Sequence, residues 1–488
     1  MKRSVVLINP PLSLEDRYGK DMKEFGAVSE PLGIAYIAGY LESQDIHVRV
    51  IDAQAENLSD NDIVNDISER KDEIIGISML TPSFHVVKRL CKQLKGGCQN
   101  SMIILGGPHC TVLPERTLHE IKEADVTCIG EGELTLAEIA GLDNGLHLGG
   151  IKGICYREGD KIMRTEARPF IKDLDRIPPP ARHLLPMEKY HLTASRVSES
   201  SYCPTIVVAR GCPFSCTFCS RTFGSTLRTH SVDRIVEEVK SLISTYRVSQ
   251  INIEADTLTA NKKFLKELCY GFIDSGINKR IQWTCESRVD TVDEEHLQLM
   301  YEAGCWQISY GVETGSQRLL NLINKSVNLR QIEDIFRLTK KVGISIRGFF
   351  MLGLPTETRE ESYDTIRFAK KLDPLWAQFT LTVPYPGTKM FNELDKMGQI
   401  TTYDWSKYNT WSGWKGAEYV PFVPQGRTVE ELCDLQKKAL REFYLRPVVI
   451  IRFIAGLHSL HDFKKYLMGF FVLIRSKFNK RLSKKQGL

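Results

Sequence analysis

The sequence predicts an α/β protein built on two parallel sheets: an N-terminal Rossmann-like, doubly wound sheet, then a partial (βα)6 barrel, followed by a helical C-terminal region. Three observations predict it. Short apolar runs alternate with helix-period segments over residues 1–140, six further strand-and-helix units follow between 204 and 400, and a proline-rich stretch separates the two series.

In the first series, Ser4–Ile8, His47–Ile51, Ile74–Ser78, Met102–Leu105 and Asp125–Ile129 read as strands. The stretches near 31–44, 59–70, 83–95, 114–122 and 133–140 read as helices. Mostly apolar strands imply a sheet covered on both faces, and ligands of such sheets sit at the carboxyl ends of the strands. Those ends carry Pro10 after the first strand, Ser78 and Leu80 after the third, Gly106, Gly107 and His109 after the fourth, and Glu131 and Gly132 after the fifth. Leu32 and Gly33 open the first helix. Glycine lets a bulky ligand approach the backbone and hydroxyls offer hydrogen bonds, although each residue taken singly is also an ordinary turn residue.

Between the two series, 149–157 and 161–164 read as a hairpin around Glu158-Gly159-Asp160, and Ile177-Pro-Pro-Pro-Ala-Arg182 reads as a stiff linker. The organisation expected is therefore 1–140, a connector 141–203 with its boundary near Ser200, a barrel 204–400 and a C-terminal region 401–488. The barrel strands are read as Thr205–Ala209, Gln250–Glu254, Ile281–Cys285, Gln307–Val312, Ile344–Leu352 and Ala377–Thr382. Their ends present Glu254 and Asp256, Ser287 and Arg288, Glu313, then Gly353 and Pro355. Acids at such ends can hold ribose hydroxyls or an amine, and an arginine can grip a carboxylate in a fork.

The first barrel strand runs into Cys212-Pro-Phe-Ser-Cys216-Thr-Phe218-Cys219. Three cysteines spaced four and then three positions apart can turn their sulfurs to one centre, and thiolates are soft ligands suited to iron–sulfur clusters or zinc. No fourth cysteine stands at matching spacing, which leaves a coordination position open to a small molecule. A structural zinc knuckle completed by Cys203 or His230 is the alternative reading.

The triplet resembles the cluster loop of the radical S-adenosylmethionine (radical SAM) enzymes. The first 140 residues, with Pro31-Leu32-Gly33 at a helix start, resemble the cobalamin-binding domain that precedes many of those barrels, in the superfamily of class B methylases and anaerobic protoporphyrin ester cyclases. The resemblance implies that Cys212, Cys216 and Cys219 hold a 4Fe–4S cluster whose free iron chelates S-adenosylmethionine. One electron, from a flavodoxin- or ferredoxin-type donor, then yields a 5′-deoxyadenosyl radical. It implies that Phe218 lies beside the adenine, that Glu254, Asp256, Ser287 and Arg288 meet the amino acid end, that Glu313 meets the ribose, and that Gly353 and Pro355 line the adenine. Pro10, Leu32, Gly33, Ser78, Leu80, Gly106, Gly107, His109, Glu131 and Gly132 would hold cobalamin. The Asp-x-His-x-x-Gly signature is absent after the first strand, so no histidine is expected on cobalt. The activity implied is cobalamin-dependent methylation of an unactivated carbon on a lipid or tetrapyrrole-like molecule, with radical cyclisation or carbon–carbon joining as the alternative. Tyr310, Tyr385 and Cys305 stand near strand ends as candidate hydrogen donors.

Thirteen cysteines without a paired framework, and no secretory signal at the start, predict a reducing, cytoplasmic setting. The net charge of +5 conceals a tail: from Arg446 onward ten Lys and Arg face only Asp462, leaving the rest acidic. An acidic body speaks against nucleic acid, and with it against a tRNA methylthiotransferase, which would also need a second cysteine set. A non-enzymatic cluster sensor is disfavoured by the polar residues at the strand ends. The tail's longest apolar run, residues 466–474, is too short for the roughly 20 residues a bilayer requires. With the cations that follow, it predicts peripheral contact with an anionic membrane face, or else a docking helix.

Overall fold

In the computed structural model the described residues are 3–71, 73–142, 147–193, 195, 202–416, 419–456 and 467–474. The first sheet has seven strands: β1 (Val5–Asn9), β2 (Val48–Asp52), β3 (Ile74–Ser78), β4 (Met102–Gly106), β5 (Val126–Cys128), β6 (Ile154–Glu158) and β7 (Lys161–Arg164). Their order is β2-β1-β3-β4-β5-β6-β7, and β1 to β5 are parallel. The chain reverses its direction of travel across the sheet at β1, so the crevice between β1 and β3 is the switch point where such sheets bind ligands. The hairpin read as part of the connector is the antiparallel pair β6/β7, and it continues this sheet from β5. Its strands alternate too weakly to betray a sheet partner, and only Ile154, Cys155 and Tyr156 turn out buried.

The second sheet is wholly parallel and runs in chain order: β8 (Thr205–Val207), β11 (Gln250–Glu254), β12 (Gln282–Ser287), β13 (Cys305–Glu313), β14 (Ser345–Leu352) and β15 (Trp376–Leu381). Sequential order with a helix after each strand gives an open barrel. The run read as one strand over 205–209 is split: β8 pairs with β11, while β9 (Ala209–Arg210) pairs antiparallel with β10 (Arg228–Thr229). The chain bends at Val208, whose backbone N–H donates to Glu254 and whose carbonyl accepts from His230. At the far edge β15 is covered by the helix Val429–Tyr444, where Gln436 donates to the Phe379 carbonyl at 2.9 Å. An edge strand covered in this way has no row of backbone groups left to pair with another chain.

Two seams hold the sheets together. In one, Arg182 of the proline linker is buried between the domains, donating to Glu30 (3.0 Å), Glu238 (2.8 Å) and the Thr205 carbonyl (2.6 Å). In the other, Val383, Phe391, Trp405 and Tyr408 share one apolar core with Met79, Phe84 and Cys110 of the first domain. A side chain at Gly387, after β15, would lie 2.4 Å from the side chain of Val112, after β4, so the backbone at Gly387 rests directly against that side chain. The carboxyl ends of the two sheets therefore face each other. Trp405, Tyr408 and Trp414 are buried in these cores, so much of the aromatic crowding after the barrel is packing between layers.

Candidate functional site

Among the thirteen cysteines, ten are buried, and the three that are not are Cys212, Cys216 and Cys219. Gly211 sets the loop's entry. It sits at φ +94°, a conformation open to glycine, and its N–H donates to the Asp256 carboxylate at 2.7 Å. Thr257 places its hydroxyl 3.5 Å from the Cys212 sulfur. Arg288 donates to the Cys216 sulfur at 3.3 Å and lies 3.9 Å over the Phe214 ring. On the other side Asn324 donates to the Ser215 carbonyl and hydroxyl (3.1 and 2.7 Å), and the Ile323 carbonyl accepts from Thr217. His230, one candidate to complete a zinc knuckle, is committed to Asp175 at 3.0 Å, and burial pulls its pKa down to about 4. The loop thus offers three cysteines that the core does not bury, which fits a cluster bound by three thiolates.

The residues expected around S-adenosylmethionine fall into two groups. Phe218 and Met351 pack against one apolar cluster that includes Leu354 and Ile323, so the cysteine loop and the Gly353-Leu-Pro355 turn share a core. Gly353 makes that turn at φ +80°, and Glu357 locks it by accepting from the Leu354 N–H at 2.6 Å. Burial pushes the Glu357 carboxyl up to about 7. Glu254 ends β11 on the solvent side, and Asp256 lines the mouth beside Gly211, its carboxyl raised by the surrounding protein.

Ser287, Arg288 and Glu313 are engaged elsewhere. Ser287 shares a buried hydroxyl network with Thr259, 2.6 Å away. The Arg288 fork closes on Asp290 (2.9 and 2.8 Å), so its reach is toward Cys216 and not outward to a carboxylate. Glu313 accepts from Lys325 at 2.8 Å, both side chains buried, at a bulge where Glu313 adopts φ +69°. Gly311 permits that pair, because a Cβ there would stand 2.4 Å from the Glu313 carboxylate. Sequence reasoning missed Lys325 and Asn324. Asp290, two residues after Arg288, was the legible signal for the closed fork, because an aspartate that near can reach the guanidinium locally.

In the first domain Pro10, Ser78, Leu80, Gly106, Gly107, Gly132 and the helix start Leu32-Gly33 gather at the carboxyl ends of β1, β3, β4 and β5. Side chains added at Gly33 or Gly130 would meet open space, and Leu80 is 46% exposed. Gly107, at φ +97°, lies against the Met79 backbone. A glycine floor with an exposed apolar side chain at a switch point fits a broad, flat ligand of cobalamin's kind. Two of the expected residues point to other duties. His109 is buried between Phe84 and Trp405, with ring centroids 5.3 and 5.4 Å away, and its Nδ1 lies 3.1 Å from the Thr81 hydroxyl. Burial lowers its pKa to about 4, so it stays neutral. Glu131 is buried on the barrel side, accepting from Arg210 and Arg228. Of the candidate hydrogen donors, Tyr310 is bonded to Thr339, Cys305 begins β13 at the end opposite the mouth, and Tyr385 donates to the Tyr408 carbonyl at 3.2 Å.

Residues 21–140 match the B12 binding domain family, and residues 206–369 match the radical SAM superfamily. An uncharacterised methyltransferase of Pyrococcus horikoshii is 36% identical over 437 residues, covering 89% of this chain and 92% of its own. The anaerobic magnesium-protoporphyrin IX monomethyl ester cyclase of Cereibacter sphaeroides is 30% identical over 430 residues, covering 86% of this chain and 68% of its own. TsrM of Kitasatospora setae, a radical S-adenosylmethionine methyltransferase solved with cobalamin and a 4Fe–4S cluster, shares the fold at a TM-score of 0.71 over 92% of each chain, with 16% identity. Two matched domains, three unburied cysteines on one loop and glycines at the strand ends of the first sheet lead to one conclusion: the chain belongs to the B12-binding radical SAM family, as an enzyme of the cobalamin-dependent methyltransferase class that works with a 4Fe–4S cluster, S-adenosylmethionine and cobalamin.

Proposed function

We propose that the protein methylates an unactivated carbon of an apolar small molecule of lipid or tetrapyrrole type. The observation that carries this reading is the apposition of the two strand-end faces: the loops after β4 and β15 meet at Val112 and Gly387, and the β5 turn meets β9 through Glu131 and Arg210. Methyl transfer to carbon needs the methyl carrier and the radical source to address one substrate, and apposed faces allow that without moving the substrate through water. When bound, the cluster supplies the electron that cleaves S-adenosylmethionine and cobalamin supplies a transferable methyl group. The chain's own residues do the rest. Cys212, Cys216 and Cys219 hold the cluster, and Phe218 with the Gly353-Leu-Pro355 turn seats the adenine. Asp256 fixes the loop entry by accepting from the Gly211 N–H. Pro10, Ser78, Leu80, Gly106 and Gly107 floor the cobalamin face. A flavodoxin- or ferredoxin-type protein is the electron donor we propose.

The test is anaerobic reconstitution with iron, sulfide and hydroxocobalamin, then turnover with S-adenosylmethionine carrying a deuterated methyl group and either porphyrin esters or polyprenoid lipids. Cobalamin retention and a labelled methyl on the product carbon are expected. Formation of 5′-deoxyadenosine with no methyl transferred and no cobalamin held would favour cyclisation, the reaction named for the Cereibacter sphaeroides relative.

For the C-terminal region we propose peripheral contact with an anionic membrane face. The helix Pro447–Ala455 exposes Val448, Ile451 and Ile454 along one stripe, and residues 467–474 expose Leu467 and Phe471. The cations from Arg475 onward lie outside the described residues. No described helix is long and apolar enough to cross a membrane. Deleting 466–488 should reduce sedimentation with phosphatidylglycerol vesicles; equal sedimentation would end this reading.

A further inference from the structure

The base of the cysteine loop is closed by the two-residue pairing of β9 with β10, in which Arg210 and Arg228 are direct cross-strand partners. Like charges placed opposite one another in an antiparallel pair repel. Here both side chains are also buried, at 6% and 8% exposure, where water cannot screen them. Asp256 of the barrel lies within electrostatic reach of Arg228, but the charge hydrogen-bonded to the two arginines is not in the barrel. It comes from the turn after β5 in the first domain: Glu131 accepts from Arg210 at 2.9 Å and from Arg228 at 2.9 and 3.1 Å, and Glu133 accepts from Arg210 at 2.7 Å. The Glu131 carboxylate also accepts from the Ile171 N–H at 2.7 Å, which anchors it to the connector. Tyr36 and Phe223 lie near the Arg210 guanidinium, and Phe170 near that of Arg228, so the group is walled by rings.

We propose that Glu131 is a positioning residue for the cysteine loop, acting through Arg210 and Arg228, so that the cobalamin-type domain supplies the charge without which the loop base cannot close. Arg210 is two residues from Cys212, and the residue between them is the glycine fixed by Asp256. The location of the first sulfur therefore follows from where Glu131 stands. The same turn carries Gly130 and Gly132 on the cobalamin floor, so the two cofactor sites share a rigid element. The inference goes beyond the methylation reading and rests only on the three cysteines holding the cluster.

The experiment uses the full chain, anaerobically reconstituted, as wild type, Glu131→Gln, Glu131→Gln/Arg228→Gln and Cys212→Ala. Iron and sulfide per chain, the rate of iron loss to a chelator and the electron paramagnetic resonance spectrum of the reduced protein are measured with circular dichroism as a folding control. Glu131→Gln leaves Arg228 buried without its counter-charge. It should lose iron at least about tenfold faster than wild type and give a shifted spectrum. The double variant removes the orphaned charge and should restore retention to within about threefold of wild type. Wild-type iron loss and spectrum in Glu131→Gln would overturn the proposal, as would a double variant as leaky as the single. Should Glu131→Gln fail to fold, the double variant decides alone: a folded double variant that holds the cluster supports the proposal, and a folded one that does not overturns it. Full iron in Cys212→Ala would instead show that the ligand assignment is at fault, and the proposal would fall with it.

Discussion

Gly211→Ala isolates what the loop entry requires. Gly211 stands at φ +94°, and a Cβ there would lie 2.2 Å from the Thr226 carbonyl oxygen, 3.0 Å from the Thr226 carbonyl carbon and 3.2 Å from the Phe223 carbonyl oxygen. A left-handed backbone costs an alanine about 1–2 kcal/mol. The steric conflict is harder to relieve, because each of these neighbours is backbone and no rotamer change moves it. Relief requires the loop base to open, which breaks the charged hydrogen bond from Gly211 to Asp256, about 1.5–3 kcal/mol, and the neutral one from Cys212 to Gly224, about 1 kcal/mol. Together these effects cost roughly 4–6 kcal/mol at the loop, enough to leave it mostly open. Gly224→Ala is the matched control. Gly224 also has a positive φ, +83°, but the three atoms nearest a Cβ there all belong to the Phe170 ring, which can turn aside. Iron and sulfide per chain after anaerobic reconstitution, and 5′-deoxyadenosine formed per hour, are the readouts. Gly211→Ala should hold little cluster and form almost no 5′-deoxyadenosine, with Gly224→Ala much closer to wild type. Equal cluster content in Gly211→Ala and wild type would refute the reasoning.

Three further outcomes follow from the site. Arg288→Leu removes a cation 3.3 Å from the Cys216 sulfur, so the reduction potential should fall and 5′-deoxyadenosine formation should slow by about 10–100-fold; an unchanged potential in a redox titration would count against that contact. Glu357 has its carboxyl raised from 4.5 to about 7 by burial, so the folded state prefers the protonated form. Its contribution to stability is full below about pH 4.5 and is lost as pH climbs through 7, a change of roughly 3 kcal/mol. Glu357→Gln should remove that slope, which urea unfolding of wild type and variant between pH 4.5 and 8 would show; parallel pH profiles would refute it. His109→Leu should leave the visible spectrum of bound hydroxocobalamin unchanged, because the imidazole is buried against Phe84, Trp405 and Thr81; a shifted cobalt band would place His109 on the metal.

The sequence by itself determined the βα alternation of both sheets, the strand ends that carry polar and glycine residues, and the cysteine triplet. These are local properties: a strand or helix announces itself through the spacing of its own apolar residues, and Cys212, Cys216 and Cys219 lie within one short loop. Only the tertiary structure decided where the charged residues spend their charge. Arg288 and Glu313 read as ligand-facing from their strand ends, but Asp290 and Lys325 claim them; Glu131 read as part of a cobalamin floor, but it answers Arg210 and Arg228 from about 80 and 97 residues away. Pairing of this kind depends on the distance between side chains in the folded chain, which no periodicity encodes. The same holds for the hairpin β6/β7, whose place on the first sheet is set by the free edge of β5 and not by its own pattern.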